Sequence, residues 1–206
     1  MRSAVIVAGG RSTRFGDRDK AVADLGGVPM IRRVAERLAE TCDRFVVNCR
    51  ADQRDAIETA MAGLDPTVAL DTDPDRGPVA GIARGLRAVD AEYAAVVACD
   101  MPFVDPAFVA YLFDRAAGHD AAVPRPGEWY EPMQAVYRTG AMADACDAAL
   151  AAADGQEPRI LTPIEALDCV VVGGDEVAAH ATSDTFDNLN TAAEFRAANE
   201  RFTPGE

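Results

Sequence analysis

The feature that most restricts the fold of this chain is an alternation that starts at residue 3 and runs to about 117. Short apolar runs give way, again and again, to longer amphipathic stretches. SAVIVA (3–8), RFVVN (44–48), TVALD (67–71) and YAAVVACD (93–100) read as strands. Between them, PMIRRVAERLAETC sets Ile31, Val34, Ala35 and Leu38 on one helical face, and QRDAIETAMAG and GPVAGIARGLRAV are helical. PAFVAYLFDRAA is a further helix, with Phe108, Leu112 and Ala116 turned inward. The strand at 93–100 is continuously apolar rather than alternating, as strands buried on both faces of a parallel sheet are. Repeated βα units of this kind predict an α/β fold in three layers, α/β/α, around a mostly parallel sheet.

Beyond residue 120 the rhythm changes. DAAVPRPGEWYEPMQAVYR reads as two strands around a Pro/Gly turn, with Trp129 and Tyr130 leading into the second. Helices are expected near 140–153 and 157–167, and short strands near 169–172 and 184–187. TAAEFRAANERF closes as a helix, with Thr191 as N-cap and Glu194 at capping-box spacing. One domain over 1–206 is expected, the second half adding a lobe over one edge.

About half of the 206 residues are apolar, so a packed globule is expected and disorder is not. The longest apolar runs, such as AAVVAC at 94–99, are far too short to span a bilayer. The N-terminus enters a strand pattern directly, without the segments of a signal peptide, so a cytoplasmic location and no membrane partner are expected. A net charge of −14 argues against a nucleic-acid partner, because phosphate backbones reward the opposite sign. The acidic excess suits a high-salt cytoplasm; the preference for Arg over Lys, with abundant Ala and Gly, equally suits GC-rich coding. Five cysteines without a C-x-x-C spacing, Cys49 and Cys99 among them at strand ends, read as structural thiols. His119 and His180 have no zinc-ligand spacing and read as surface or loop residues.

In an open α/β sheet, ligands sit beyond the carboxyl ends of the strands. The residues there are Ala8-Gly9-Gly10, Asn48, Asp71 and Asp100, all small or polar. A glycine pair after a strand lets backbone N–H groups approach phosphate oxygens with no Cβ in the way. Arg11, Arg14, Arg18 and Lys20 follow, a local reversal of sign in an acidic chain, and Lys20 is the only lysine among twenty basic residues. Neither the G-x-x-x-x-G-K-[ST] loop nor the G-x-G-x-x-G fingerprint is present. Asp100 ends a buried strand, where an unpaired carboxylate is costly, so a cation or a set of N–H donors should satisfy it. It could cap the next helix, but Asp105, directly before Pro106, fits that N-cap better.

Together, VAGGRSTRFGDRDKAVADLGGVPMI, VVNCR, DTDPDRGPVAGI, CDMPFV, EPMQAVYR and FDNLNTAAEF resemble, in order and spacing, the molybdenum cofactor guanylyltransferases. These belong to the Rossmann-like nucleotidyltransferases of the nucleotide-diphospho-sugar transferase type. The resemblance implies a nucleotide-binding half at 1–117, and an acceptor-side lobe and closing helix at 118–206. It implies that Val7, Ala8, Gly9 and Gly10 hold GTP through main-chain groups, and that Arg14 and Lys20, with Arg11 nearby, neutralise the triphosphate. Asn48, Asp71 and the turn with Gly77, Pro78 and Gly81 would lie along base and ribose. Asp100 would hold Mg²⁺, with Asn188 and Asn190 near the active site. Asp17 departs from the family pattern, standing where many members have a second glycine. Segment 118–135 matches only through EPMQAVY.

The implied enzyme is a nucleotidyltransferase. It joins GMP from GTP to the terminal phosphate of molybdopterin, releases pyrophosphate, and has transient contact with pterin-supplying or molybdoenzyme-maturation proteins. Two rivals stay open: a related transferase using CTP, UTP or ATP or another phosphorylated acceptor, and a GTP-binding regulatory module that does not catalyse.

Overall fold

The computed structural model describes residues 1–10, 19–72 and 76–202. Arg11, Arg14, Asp17 and Arg18 lie outside the described residues.

Four strands form the parallel part of the sheet: β1 (Ser3–Val7), β4 (Arg44–Cys49), β5 (Thr67–Leu70) and β6 (Tyr93–Ala98). The complete order is β5-β4-β1-β6-β8-β7-β9, with β7 at Ala121–Arg125, β8 at Gln134–Arg138 and β9 at Cys169–Gly173. β8 runs antiparallel to both neighbours, and β9 is parallel to β7. All strands except β8 therefore point the same way, and their carboxyl ends share one edge. Two further strands, β2 (Asp24–Leu25) and β3 (Val28–Pro29), make a separate antiparallel ribbon.

β1 lies inside the sheet, between β4 and β6, because both of its faces are apolar. Val5 lies level with Val46 and Val96 on its neighbours, and all three face one layer of the core. That layer is completed by α3 (Gly77–Arg87) and α5 (Thr139–Ala152). Ala4 and Ile6 face the other layer, with α1 (Met30–Leu38), α2 (Arg54–Ala60) and α4 (Pro106–Ala116). The three-layer α/β/α expectation and its mostly parallel sheet are borne out. Ile31, Val34, Ala35 and Leu38, and likewise Phe108, Leu112 and Ala116, are buried as their helical spacing requires.

Local chemistry sets the boundaries. The Asp105 side chain accepts from the N–H groups of Ala107 and Phe108, capping α4 as expected and leaving Asp100 uninvolved. Thr191 and Glu194 form the expected capping box of α8 (Ala192–Phe202): Glu194 N–H donates to Thr191 Oγ1, and the Glu194 carboxylate accepts from the N–H groups of Asn190 and Thr191. α8 packs over the β2–β3 ribbon through Leu25, Phe103, Phe195 and Phe202.

Three expectations need correction. Residues 184–187 form a turn instead of a strand, with Thr185 N–H bonded to Thr182 C=O and Asp187 N–H to Asp184 C=O. The helix expected over 157–167 shrinks to the single turn α6 (Leu161–Ile164), in a stretch interrupted by Pro158 and Pro163. A helix the pattern did not suggest, α7 (Gly174–His180), follows β9. All five cysteines are free, and burial pushes Cys42 and Cys146 up to about 12 and Cys49 and Cys169 up to about 11. They are protonated at neutral pH, which suits packing rather than reaction. His180 is exposed and stacks on Tyr111; half-buried His119 pairs with Asp168. Among the described residues, no helix is long and apolar enough to cross a membrane.

Candidate active site

Two clusters form at the carboxyl edge, where β4, β1 and β6 lie side by side and span about 10 Å. The first is ionic. Lys20 opens a single 3-10 turn (Lys20–Val22), and its ammonium reaches Asp100 Oδ2 at 2.5 Å and Asn190 Oδ1 at 2.9 Å. The pair is largely withdrawn from solvent, with side chains 11% and 17% exposed, so its attraction is far less screened than at the surface. Asp100 lies just beyond β6, and its carbonyl accepts the Leu189 N–H at 3.0 Å, which brings the chain at 188–190 across the strand end. Asn190 thus joins the cluster. The half-buried Asn188 side chain makes no hydrogen bond among the described residues.

One atom of this cluster is unsatisfied. Asp100 Oδ1 is buried and has no hydrogen-bond partner among the described residues. A buried carboxylate oxygen in that condition fits a hard cation, which takes oxygen ligands. No group of three or more His, Cys, Asp or Glu side chains converges among the described residues, so these residues alone supply no complete metal cage.

The second cluster is built from amide, carboxylate and glycine. Asn48 is fully buried at the end of β4; its Nδ2 donates to Asp71 Oδ1 at 2.6 Å and to the Ala69 carbonyl at 3.1 Å. Asn48 Oδ1 is buried without a partner among the described residues. Two glycines make this arrangement possible. A Cβ on Gly9 would overlap Asp71 Oδ2, and one on Gly81 would overlap Asn48 Oδ1. Gly77 and Pro78 open α3, and Gly81 sits one turn in, facing Asn48.

Between the clusters runs the end of β1. The Val7 carbonyl accepts from Cys99 N–H, the Ala8 N–H donates to the Asn48 carbonyl, and the Ala8 carbonyl accepts from Gln53. These main-chain groups are already engaged within the protein. The N–H groups of Gly9 and Gly10 make no hydrogen bond among the described residues, and their carbonyls accept from Arg50 at 3.0 and 2.8 Å. The two glycine N–H groups are thus donors without a partner among the described residues.

Gln53 and Arg50 escaped the sequence reading. Gln53 fell at the start of an apolar-periodic helix, and Arg50 was one arginine among nineteen. Their one local sign was position, just after a strand that ends at the site. A cavity of about 400 Å³ adjoins Asp71 on its other side, lined by Thr72, Arg76, Arg84 and Arg87 among others.

A family model described as the MobA-like NTP transferase domain matches residues 4–170. A protein of Natronomonas pharaonis named "Probable molybdenum cofactor guanylyltransferase" is 52% identical over 98% of both chains. One of the same name from Haloferax mediterranei is 42% identical over 97% of this chain and 94% of its own. Among solved structures, molybdopterin-guanine dinucleotide biosynthesis protein A from Archaeoglobus fulgidus superposes with a TM-score of 0.79 at 27% identity, covering 98% of each chain.

Proposed function

Because the chain belongs to the MobA-like NTP transferase family, we propose that it transfers GMP from GTP to the terminal phosphate of molybdopterin, releasing pyrophosphate and forming molybdopterin guanine dinucleotide. The observation that carries this reading is the cluster of Lys20, Asp100 and Asn190 beside the N–H groups of Gly9 and Gly10, with those two donors and the buried Asp100 Oδ1 unpartnered among the described residues.

The chemistry is an in-line displacement. An oxygen of the acceptor phosphate forms a bond to the α-phosphorus of GTP. The bond from that phosphorus to the bridging oxygen of the β-phosphate breaks, and pyrophosphate leaves with the electron pair. The acceptor phosphate is already an anion near neutral pH, so no side chain need remove a proton. The difficulty is gathering two polyanions on a chain of net charge −14. Lys20 and the N–H groups of Gly9 and Gly10 supply a local field of opposite sign, with Arg14 and Arg11 assigned the same task. Asn190 holds the Lys20 ammonium at its station. Asn48 and Asp71, with Gly81 making room for the Asn48 amide, form the nucleoside side, where the half-buried Asp71 carboxylate, oriented by Asn48, is the acceptor for base or ribose donors.

Asp100 would hold Mg²⁺ through Oδ1, and the bound ion supplies positive charge against the triphosphate. Segment 118–206 serves the acceptor: β7 and β8 are joined over 126–133 at the same sheet edge, and Trp129 there is 77% exposed. This reading makes the protein a cytoplasmic enzyme that meets its pterin supplier and the molybdoenzyme-maturation proteins transiently.

The test is incubation with Mg²⁺, molybdenum-loaded molybdopterin and each of GTP, CTP, UTP and ATP. Guanylated pterin and one equivalent of pyrophosphate, from GTP alone, are expected. Transfer from CTP instead would keep the chemistry and overturn the base assignment; tight GTP binding with no pyrophosphate would overturn catalysis.

A further inference from the structure

We propose that Gln53 is a positioning residue for Lys20, acting through Asp19, and that with Arg50 it ties Ala8, Gly9 and Gly10 to Asp19. Gln53 is 2% exposed, and every polar atom of its carboxamide is accounted for. Nε2 donates to the Ala8 carbonyl at 3.0 Å, before the loop, and to Asp19 Oδ2 at 2.8 Å, after it. Oε1 accepts from the Arg50 N–H at 2.9 Å, which holds the amide in the one orientation that presents its two donors to these acceptors.

Asp19 passes this on. Its other oxygen, Oδ1, caps the 3-10 turn by accepting from Ala21 N–H at 3.0 Å, and Lys20 is the first residue of that turn. Arg50 adds a second tie, donating to the carbonyls of Gly9 and Gly10; across their planar trans peptides the Gly10 N–H points away from Arg50, as the Gly9 N–H points away from Gln53. The Arg50 guanidinium is in turn squared against Asp52 by two contacts of 3.1 Å. One short segment after β4 thus sets the lysine and the glycine donors in a common frame. Such a frame is what rate enhancement by preorganised charge requires.

The inference rests on the proposed reading of Lys20 as a phosphate-binding group. The test combines steady-state pyrophosphate release from Mg²⁺·GTP and molybdopterin with calorimetric binding of inorganic tripolyphosphate, and thermal unfolding confirms that each variant is folded. Gln53→Ala is expected to lower kcat/KM by between about tenfold and a hundredfold and to weaken tripolyphosphate binding. In a Lys20→Ala background the same change should cost less than about threefold, since the residue it positions is gone. Gln53→Glu should be worse than Gln53→Ala, because an acceptor would then face the Ala8 carbonyl and the Asp19 carboxylate. Asp19→Asn should partly rescue Gln53→Glu by restoring a donor at that contact. Asp19→Asn alone keeps a single acceptor for two donors, so it should lose activity even if Gln53→Ala fails to fold.

Wild-type kcat/KM in Gln53→Ala, or equal losses with and without Lys20, would overturn the inference. If no variant and no wild-type protein transferred GMP, while tripolyphosphate binding still followed this pattern, the proposed function would fail and the positioning role would stand.

Discussion

The two clusters on the carboxyl edge solve different problems with different materials. At β6, a largely buried ammonium and carboxylate and the amide oxygen of exposed Asn190 lie within hydrogen-bond reach, and one carboxylate oxygen is left over among the described residues. At β4, Asp71 is a charged member, held by Asn48, and space is so tight that a side chain at Gly9 or Gly81 would have to displace Asp71 or Asn48. In the proposed reading the first cluster governs charge and therefore rate, and the second governs shape and therefore which nucleoside fits. Substitutions in the first should act mainly on kcat and metal dependence. Substitutions in the second should act mainly on nucleotide KM and on stability.

Lys20→Ala should have the largest effect, a loss of about 2–4 kcal/mol of transition-state stabilisation, or roughly thirtyfold to several-hundredfold in kcat. Pyrophosphate release measures it, and an unimpaired variant would remove Lys20 from the chemistry. Asp100→Asn should come next, raising the Mg²⁺ concentration for half-maximal rate by about fivefold or more, because a neutral amide is a poorer ligand for a hard cation. A metal titration superimposable on wild type would break the assignment of Oδ1.

Gly81→Ala should sit below these in rate but reach the other cluster. Its methyl would drive into Asn48 Oδ1 and crowd Val7, an overpacking worth about 1–3 kcal/mol. GTP KM should rise while the Mg²⁺ titration stays put; a change confined to metal dependence would mean the clusters are not separable. The smallest expected effect is at the N-cap of α8, which adjoins the first cluster through Asn190. Thr191→Ala should lose about 0.5–2 kcal/mol of stability with the cap, seen as a Tm lower by a few degrees, and leave base preference untouched.

The same cap carries a pH signature. Hydrogen bonds from the N–H groups of Asn190 and Thr191 hold the Glu194 carboxyl below the usual carboxylate range. Its folded value is thus below its unfolded one, near about 4.3. The contribution is complete above the unfolded value and fades as pH falls through the folded one. The Tm difference between wild type and Glu194→Ala should therefore shrink on acidification; a difference that grew would contradict the cap.

The sequence showed more of the first cluster than of its support. Lys20 stood out as a lone lysine, and Asp100 as a carboxylate closing an apolar strand whose helix-capping task Asp105 takes instead. β-Branched runs and helical spacing declared the parallel half because burial on both faces leaves a continuous apolar signal. Gln53 stayed hidden because its partners, Ala8 and Asp19, are distant in sequence, and bonds to main-chain carbonyls select no residue type at the other end. Residues 184–187 misled for a related reason. Thr185 is buried to accept from Asp105 N–H and Gln134, and Phe186 packs against the core, so their apolar and β-branched character reflects tertiary contacts rather than a strand.

The account turns on a compact ammonium that shares a largely buried carboxylate with the phosphate site. Its most direct test is the single-turnover rate of Lys20→Arg with saturating Mg²⁺·GTP and molybdopterin. A planar guanidinium keeps the charge but not the size, and confined between Asp100 and Asn190 it should slow GMP transfer by about thirtyfold or more. Transfer at the wild-type rate would contradict the account, since charge alone, however shaped, would then suffice at this position.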